Sequence, residues 1–270
     1  MKKTVLITGA SSGIGKATAQ YFADQGWNVA ATMRRPEKEK DLVETDALKL
    51  FRLDVQDQDS IDLAVKNTIN AFGSLDALVN NAGYGAIGPL EESSRKKIER
   101  QFDVNVFGLI EVTKAVLPQM RKQKSGVIVN ISSVGGRITL PLTSLYHGTK
   151  WAVEGITQSL QYELNPLGIK LKIVEPGGVK TDFTTRSIDF EDNEIPDYDP
   201  IMGKMKNMMN DNSNMPSTPL DIAKVIFKAT TDGRKKLRYA AGKDAKLFMG
   251  VLRVFGDNAV QRLLKSYLKL

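Results

Sequence analysis

The sequence predicts an α/β fold: a single domain built on a doubly wound parallel sheet. Three observations predict it. Short apolar runs without strict alternation recur along the chain, as strands covered on both faces do. Amphipathic stretches of helical length lie between them, which suits crossovers joining parallel strands. A glycine-rich turn joins the first strand to the first helix, where such folds hold phosphate. No Gly/Ser linker and no repeat of 20–50 residues divides the 270 residues, so one domain over 1–270 is expected.

The elements follow in order. Val5–Thr8 reads as a buried strand, then a glycine turn and a helix through Ala23. Asn28–Met33 and Lys49–Leu53 are the next strands, followed by a helix from about Ser60 to Phe72. Ala77–Asn80 is a strand ending in Asn80-Asn81-Ala82-Gly83. A helix covers roughly Lys96–Val116 and is expected to stop near Pro118, because proline lacks the N–H a helix interior needs. Gly126–Ile131 is a strand, Ser144–Leu164 a helix, and Lys170–Val174 a strand ending at Pro176-Gly177. Ligands should sit at the carboxyl ends of these strands.

Composition narrows the function. With 41% apolar and 26% charged residues the chain is ordinary globular material. It has no cysteine, which excludes a disulfide scaffold, an iron–sulfur cluster and a cysteine nucleophile. Its one histidine, His147, excludes a His-rich metal site and weighs against a Ser-His-Asp triad. No metal is expected. No apolar run approaches the about 18 residues needed to span a membrane. The apolar stretch in MKKTVLITGA is too short for a secretory signal, so a cytoplasmic setting is expected.

Three residue patterns carry chemistry. Thr8-Gly9-Ala10-Ser11-Ser12-Gly13-Ile14-Gly15 has the spacing G-x-x-x-G-x-G between a strand and a helix. One glycine permits the tight turn, a second lets backbone approach a pyrophosphate, and a third allows close packing. Free N–H groups and the helix dipole favour a phosphate there. Tyr146 and Lys150 stand four apart on a helix and share a face. A nearby cation favours the phenolate and lowers a tyrosine pKa from its usual value near 10. Ser133 follows a strand end, 13 residues before Tyr146, where a hydroxyl could meet a substrate oxygen.

These pieces resemble the short-chain dehydrogenase/reductase family in its common form. The matching residues are Thr8-Gly9-x3-Gly13-x-Gly15, Asp54-Val55, Asn80-Asn81-Ala82-Gly83, Asn105, Ser133, Tyr146-x3-Lys150, and Pro176-Gly177 with Thr181, in family order over about residues 3–182. The resemblance implies a Rossmann-type fold and hydride transfer between a nicotinamide cofactor and a carbonyl/alcohol pair. It implies Tyr146 as general acid or base and Lys150 on the nicotinamide ribose. Ser133 would bind the substrate oxygen, and Asn105 a water in a proton relay. Asp54 would receive the adenine amino group with Val55 beside the ring, and Asn81 would line the adenosine ribose. Ala82, Gly83, Ser11, Ser12, Ile14 and Pro176-Gly177 would add cofactor contacts, with Val179 and Thr181 at the carboxamide.

Cofactor choice has its own signal. An NAD enzyme of this fold usually ends its second strand with an acid for the ribose 2′-hydroxyl. Met33 stands there, followed by Arg34 and Arg35. An arginine grips a 2′-phosphate bidentately, so NADP(H) is expected over NAD(H), through Arg34 first.

The competing readings are a cofactor-sensing protein without turnover and a nucleic-acid binder. Sensors on this fold commonly lose the tyrosine and lysine, which are present here. Residues 224–270 carry 12 Lys/Arg and 3 Asp/Glu, but no nucleic-acid motif accompanies that charge.

Three further expectations concern partners and the C-terminal third. Trp151, Ala152, Val153, Ile156 and Leu160 on the tyrosine helix offer an apolar surface for core packing or for a second subunit, and a homodimer or homotetramer is expected. His147 points away from Tyr146 and reads as a surface or supporting residue. Thr184–Met215 is expected to form a lid over a small apolar carbonyl or alcohol substrate. Asp189–Asp199 should be irregular, and Ile201, Met202, Met205, Met208 and Met209 should form one face of a short helix. That face could close over substrate or fill core space. The tail over 246–270 reads as a basic amphipathic helix that packs on its own domain or a partner, with peripheral membrane contact the less favoured alternative.

Overall fold

The computed structural model describes residues 2–181, 187–190, 194–210 and 216–268. Seven parallel strands form the central sheet: β1 (Thr4–Ile7), β2 (Asn28–Met33), β3 (Leu48–Arg52), β4 (Ala77–Asn80), β6 (Gly126–Ile131), β7 (Ile169–Pro176) and β9 (Arg238–Ala241). Their spatial order is β3-β2-β1-β4-β6-β7-β9. The chain winds outward from β1 in one direction and from β4 in the other. The crevice between their carboxyl ends is therefore the switch point where such sheets bind ligands. The doubly wound parallel sheet expected from the apolar runs is present.

Period-2 alternation sends successive side chains to opposite faces. On β1, Val5 and Ile7 enter one core with Phe22 of α1 (Gly13–Asp24) and Ile222 and Ile226 of α7 (Pro219–Thr231). Leu6 enters the other, with Ile61 of α2 (Gln58–Phe72), Val112 and Val116 of α4 (Gly108–Gln123), and Leu164 of α5 (Ser144–Leu164). Local signals fix the helix ends. Asp57 accepts the Ser60 N–H at the start of α2, and Gly73 closes its end at φ 78°. Thr218 and Asp221 form a reciprocal capping box on α7.

Two expectations need correction. The helix expected over Lys96–Val116 is two helices, α3 (Arg95–Phe102) and α4, joined by a π turn over Asp103–Phe107. Nor does Pro118 end it, since α4 runs to Gln123. Pro118 and Lys114 both face solvent, where water can satisfy the carbonyl left without a donor, and the apolar face continues to buried Met120.

The described residues after β7 also depart from the expectation. β5 (Gly85–Ile87) pairs in parallel with β8 (Ile188–Phe190), so the expected irregular stretch begins as a strand. Asp189 is tied to Lys97 at 3.3 Å and Arg100 at 3.5 Å. The expected short helix is α6 (Asp199–Asn210), with Met202 and Met205 buried. Thr184 and Met215, the ends of the expected lid, lie outside the described residues, as does the side chain of Met209. The basic tail is α8 (Lys243–Leu268), bent at Gly256 with φ 73°. Its Leu252 and Val260 pack on Ile138, while Leu247, Val254, Phe255 and Leu263 are exposed. Among the described residues no helix is long and apolar enough to cross a membrane.

Candidate active site

The glycine turn is held from behind. The Thr8 hydroxyl accepts the backbone N–H groups of Asn81 and Ala82, each at 3.0 Å. The Asn81 amide donates to the Thr8 and Gly9 carbonyls at 3.0 and 3.1 Å. These bonds lock the ends of β1 and β4 together. Gly9 and Gly13 have φ of 68° and 52°, which only glycine adopts at little cost. A Cβ on Gly15 would strike the Gly9 carbonyl and the Asn81 amide. The side chain of the N-cap residue Ser12 makes no capping bond, so the first N–H groups of α1 keep their capacity for an anion.

A cleft of about 600 Å³ runs from this turn along the carboxyl ends of the strands. Gly9, Ser11, Ser12, Gly13 and Ile14 line one wall, and Arg34, Asp54 and Val55 one end. Asn81, Ala82 and Gly83 line it after β4, and Pro176, Gly177, Val179 and Thr181 line it at the end of β7. Ser133, Tyr146 and Lys150 reach it at the other end. Thr8 and Gly15, expected as cofactor contacts, and Asn105, expected to hold a water of the proton relay, are not among the residues that line the cleft. The bare helix terminus, the glycine cradle and the length of the cleft fit a dinucleotide.

The chemistry-bearing residues converge from two elements. Ser133 follows β6, and its Oγ accepts the Gly135 N–H at 3.0 Å. It also hydrogen-bonds the Tyr146 hydroxyl from α5, which holds that phenol down. Burial outweighs this bond and pushes Tyr146 above its ordinary value. Lys150 was expected to lower Tyr146, but its ammonium lies 5.7 Å from the ring centroid and donates to the Ile131 carbonyl at 2.9 Å. Burial pulls Lys150 itself down to about 8, with Glu154 opposing.

Asn105 sits in the π turn, a distortion common at functional sites. Its amide donates to the Tyr84 carbonyl at 2.8 Å and to the Thr149 hydroxyl at 3.1 Å, and accepts the Tyr84 N–H at 3.0 Å. The side chain is thus spent on tying the turn to α5. His147 is buried, which excludes the surface placement. Its Nδ1 meets Leu140 N at 3.2 Å and the Thr143 hydroxyl at 3.1 Å. Burial brings it down to about 4, so it is neutral at pH 7.

Several residues escaped the sequence reading. Tyr84, Arg100, Ile188 and Asp189 line the cleft beyond Tyr146, with the Arg100 guanidinium stacked 4.7 Å over the Tyr84 ring. Asp244, at the start of α8, accepts the Gly178 N–H at 2.6 Å and anchors the loop after β7. Pairing and charge reveal these only once the chain is folded. Met202 and Met205 do not line the cleft.

Fold and site together define a dinucleotide-binding α/β oxidoreductase. A family model described as short chain dehydrogenase matches residues 3–192. A short-chain dehydrogenase structure from Streptomyces avermitilis is 37% identical with a TM-score of 0.86, over 99% of this chain and 96% of that one. ElxO with NADP bound is 29% identical with a TM-score of 0.74, over 89% of this chain and 97% of that one. Retinol dehydrogenase 8 of Bos taurus is 37% identical over 253 residues, 87% of this chain and 80% of that protein. The chain belongs to the short-chain dehydrogenase/reductase family.

Proposed function

We propose that this protein moves a hydride between NADP(H) and the carbonyl or alcohol of a small apolar molecule. One observation carries the reading: Ser133, Tyr146 and Lys150 meet in the cleft that begins at the glycine turn. When bound, the nicotinamide supplies or accepts the hydride. Ser133 orients the substrate oxygen by hydrogen bonding. In reduction the Tyr146 hydroxyl gives its proton to that oxygen, and in oxidation the phenolate takes it back. Lys150 holds the ribose hydroxyls through its ammonium donors.

Arg34 at the cleft end, with Met33 in place of an acid, supports NADP(H), as does the likeness to NADP-bound ElxO. The tyrosine ring and aliphatic side chains of Tyr84, Val104 and Ile188 support an apolar substrate, as does the likeness to a retinol dehydrogenase. Screening NADPH oxidation against aldehydes, ketones, steroids, retinoids and quinones tests the proposal. Turnover of an apolar carbonyl supports it, and turnover of none of the panel, with NADPH bound, would favour a sensor.

A further inference from the structure

Behind the candidate catalytic residues lies a second buried cluster. Three elements that bring residues to the cleft each carry a further buried polar side chain, of which Ser132 also lines the cleft and the other two do not. Ser132 precedes Ser133, Glu154 stands one turn beyond Lys150 on α5, and Glu175 precedes Pro176 on β7. All three are buried. In each, one side-chain oxygen has no hydrogen-bond partner among the described residues: Ser132 Oγ, Glu154 Oε1 and Glu175 Oε1. Buried polar atoms are rarely left unpaired, so three in one place call for an explanation.

The charges are also unbalanced. Arg238 of β9 places its Nε 2.8 Å from Glu154 Oε2 and 3.7 Å from Glu175 Oε1. Its Nη2 is spent on Gln158, at 2.7 Å. Arg137 is the other cation near Glu175, at 4.0 Å, and is part-exposed. Lys236 adds a weaker attraction from the loop before β9. Two buried carboxylates therefore share one close guanidinium. A proton on one acid relieves the repulsion and adds a donor where acceptors stand unpaired. Ser132 and Glu154 meet at Gly136, where a Cβ would sit 2.6 Å from Ser132 Oγ and 3.0 Å from Glu154 Cγ.

We propose that Glu154 and Glu175 form an acid pair that holds one proton at neutral pH and fixes a single negative charge behind Lys150. Glu175 is the protonated member, and Glu154 keeps the close ion pair with Arg238. Burial and the neighbouring Glu154 push Glu175 up to about 7, against the pull of the two arginines. Glu154 in turn works against the burial that draws the proton off Lys150. Neither acid lines the cleft. It is a positioning device that keeps the lysine cationic, and this last step rests on the proposed role of Lys150.

The first test needs no substrate. An acid raised in the folded state holds its proton while the unfolded chain has released it. Stability is then complete below the ordinary glutamate value of 4.5 and is lost as pH rises toward about 7. Glu175→Gln is neutral throughout. Urea midpoints of both proteins should lie closest below pH 4.5, and the variant should gain on wild type as pH rises to about 7 and then hold a constant lead. A gap that does not change with pH would overturn the shared proton.

The second test reads Lys150 through NADPH fluorescence titrations between pH 6 and 9.5, using Glu154→Gln and Glu154→Asp. Without the Glu154 charge the alkaline loss of NADPH binding should move down by about one pH unit, and aspartate should restore most of it. An unmoved midpoint in the glutamine variant would overturn the link to Lys150. If wild type bound no NADPH, the cofactor reading would fail, and the urea series would still decide the acid pair.

Discussion

The Lys150 ammonium donates to the Ile131 carbonyl at 2.9 Å, so α5 is pinned to the end of β6 two residues before Ser133. This contact ties the helix that carries Tyr146 to the strand end that positions its hydroxyl partner. It also places a buried cation whose proton is held weakly, down to about 8. As pH rises through that value the ammonium becomes a neutral amine and loses one of its three donors. NADPH affinity should be level between pH 6 and 7.5 and fall above about 8. Lys150→Ala should bind weakly and show no such transition in the same titration.

Tyr146→Phe keeps the ring that fills the buried end of the cleft and removes the proton it carries. Turnover of a confirmed substrate should fall by about 10²–10⁴-fold, the usual worth of a positioned acid or base. NADPH affinity should stay within a few-fold, measured by fluorescence. Near-normal turnover would exclude Tyr146 as the acid.

Arg34 is exposed at the cleft end and stands where an NAD enzyme would carry an acid. Arg34→Ala should remove a charge-assisted contact of about 1.5–3 kcal/mol. At about 1.4 kcal/mol per decade, NADPH affinity should drop roughly 10–100-fold while NADH affinity changes little. Equal losses for the two cofactors would place the 2′-phosphate elsewhere.

Met205 is 1% exposed. Packing of this kind makes α6 part of the folded body. Met205→Ala should cost about 2–5 kcal/mol in urea denaturation, the range for a buried methionine cut to alanine. A loss near zero would restore the picture of a helix that moves freely over the cleft.

Trp151 is 48% exposed on α5, on the side away from Val153, which is in the core. Tyr162 is exposed on the same helix. A self-association surface there should be broken by a charge. Sedimentation should give a dimer or tetramer for wild type and a smaller species for Trp151→Glu. Equal mass for the two proteins would move the interface off this helix.

The sequence by itself determined the sheet, the glycine turn and the positions of Ser133, Tyr146 and Lys150. These rest on local rules: apolar runs of strand length, glycines where backbone must turn, and an i,i+4 pair on one helix. The tertiary structure decided what depends on long-range contact. Pro118 stays inside α4 because its face meets water. Asp189 sits in a strand because β5 supplies its partner, 103 residues away at the paired positions of Gly85 and Ile188. His147 is neutral because neighbours bury it. Nothing in the sequence pairs Glu154 with Glu175, which only the packing of α5, β7 and β9 sets around one arginine. Burial and charge balance are properties of the packed whole, and no window of sequence contains them.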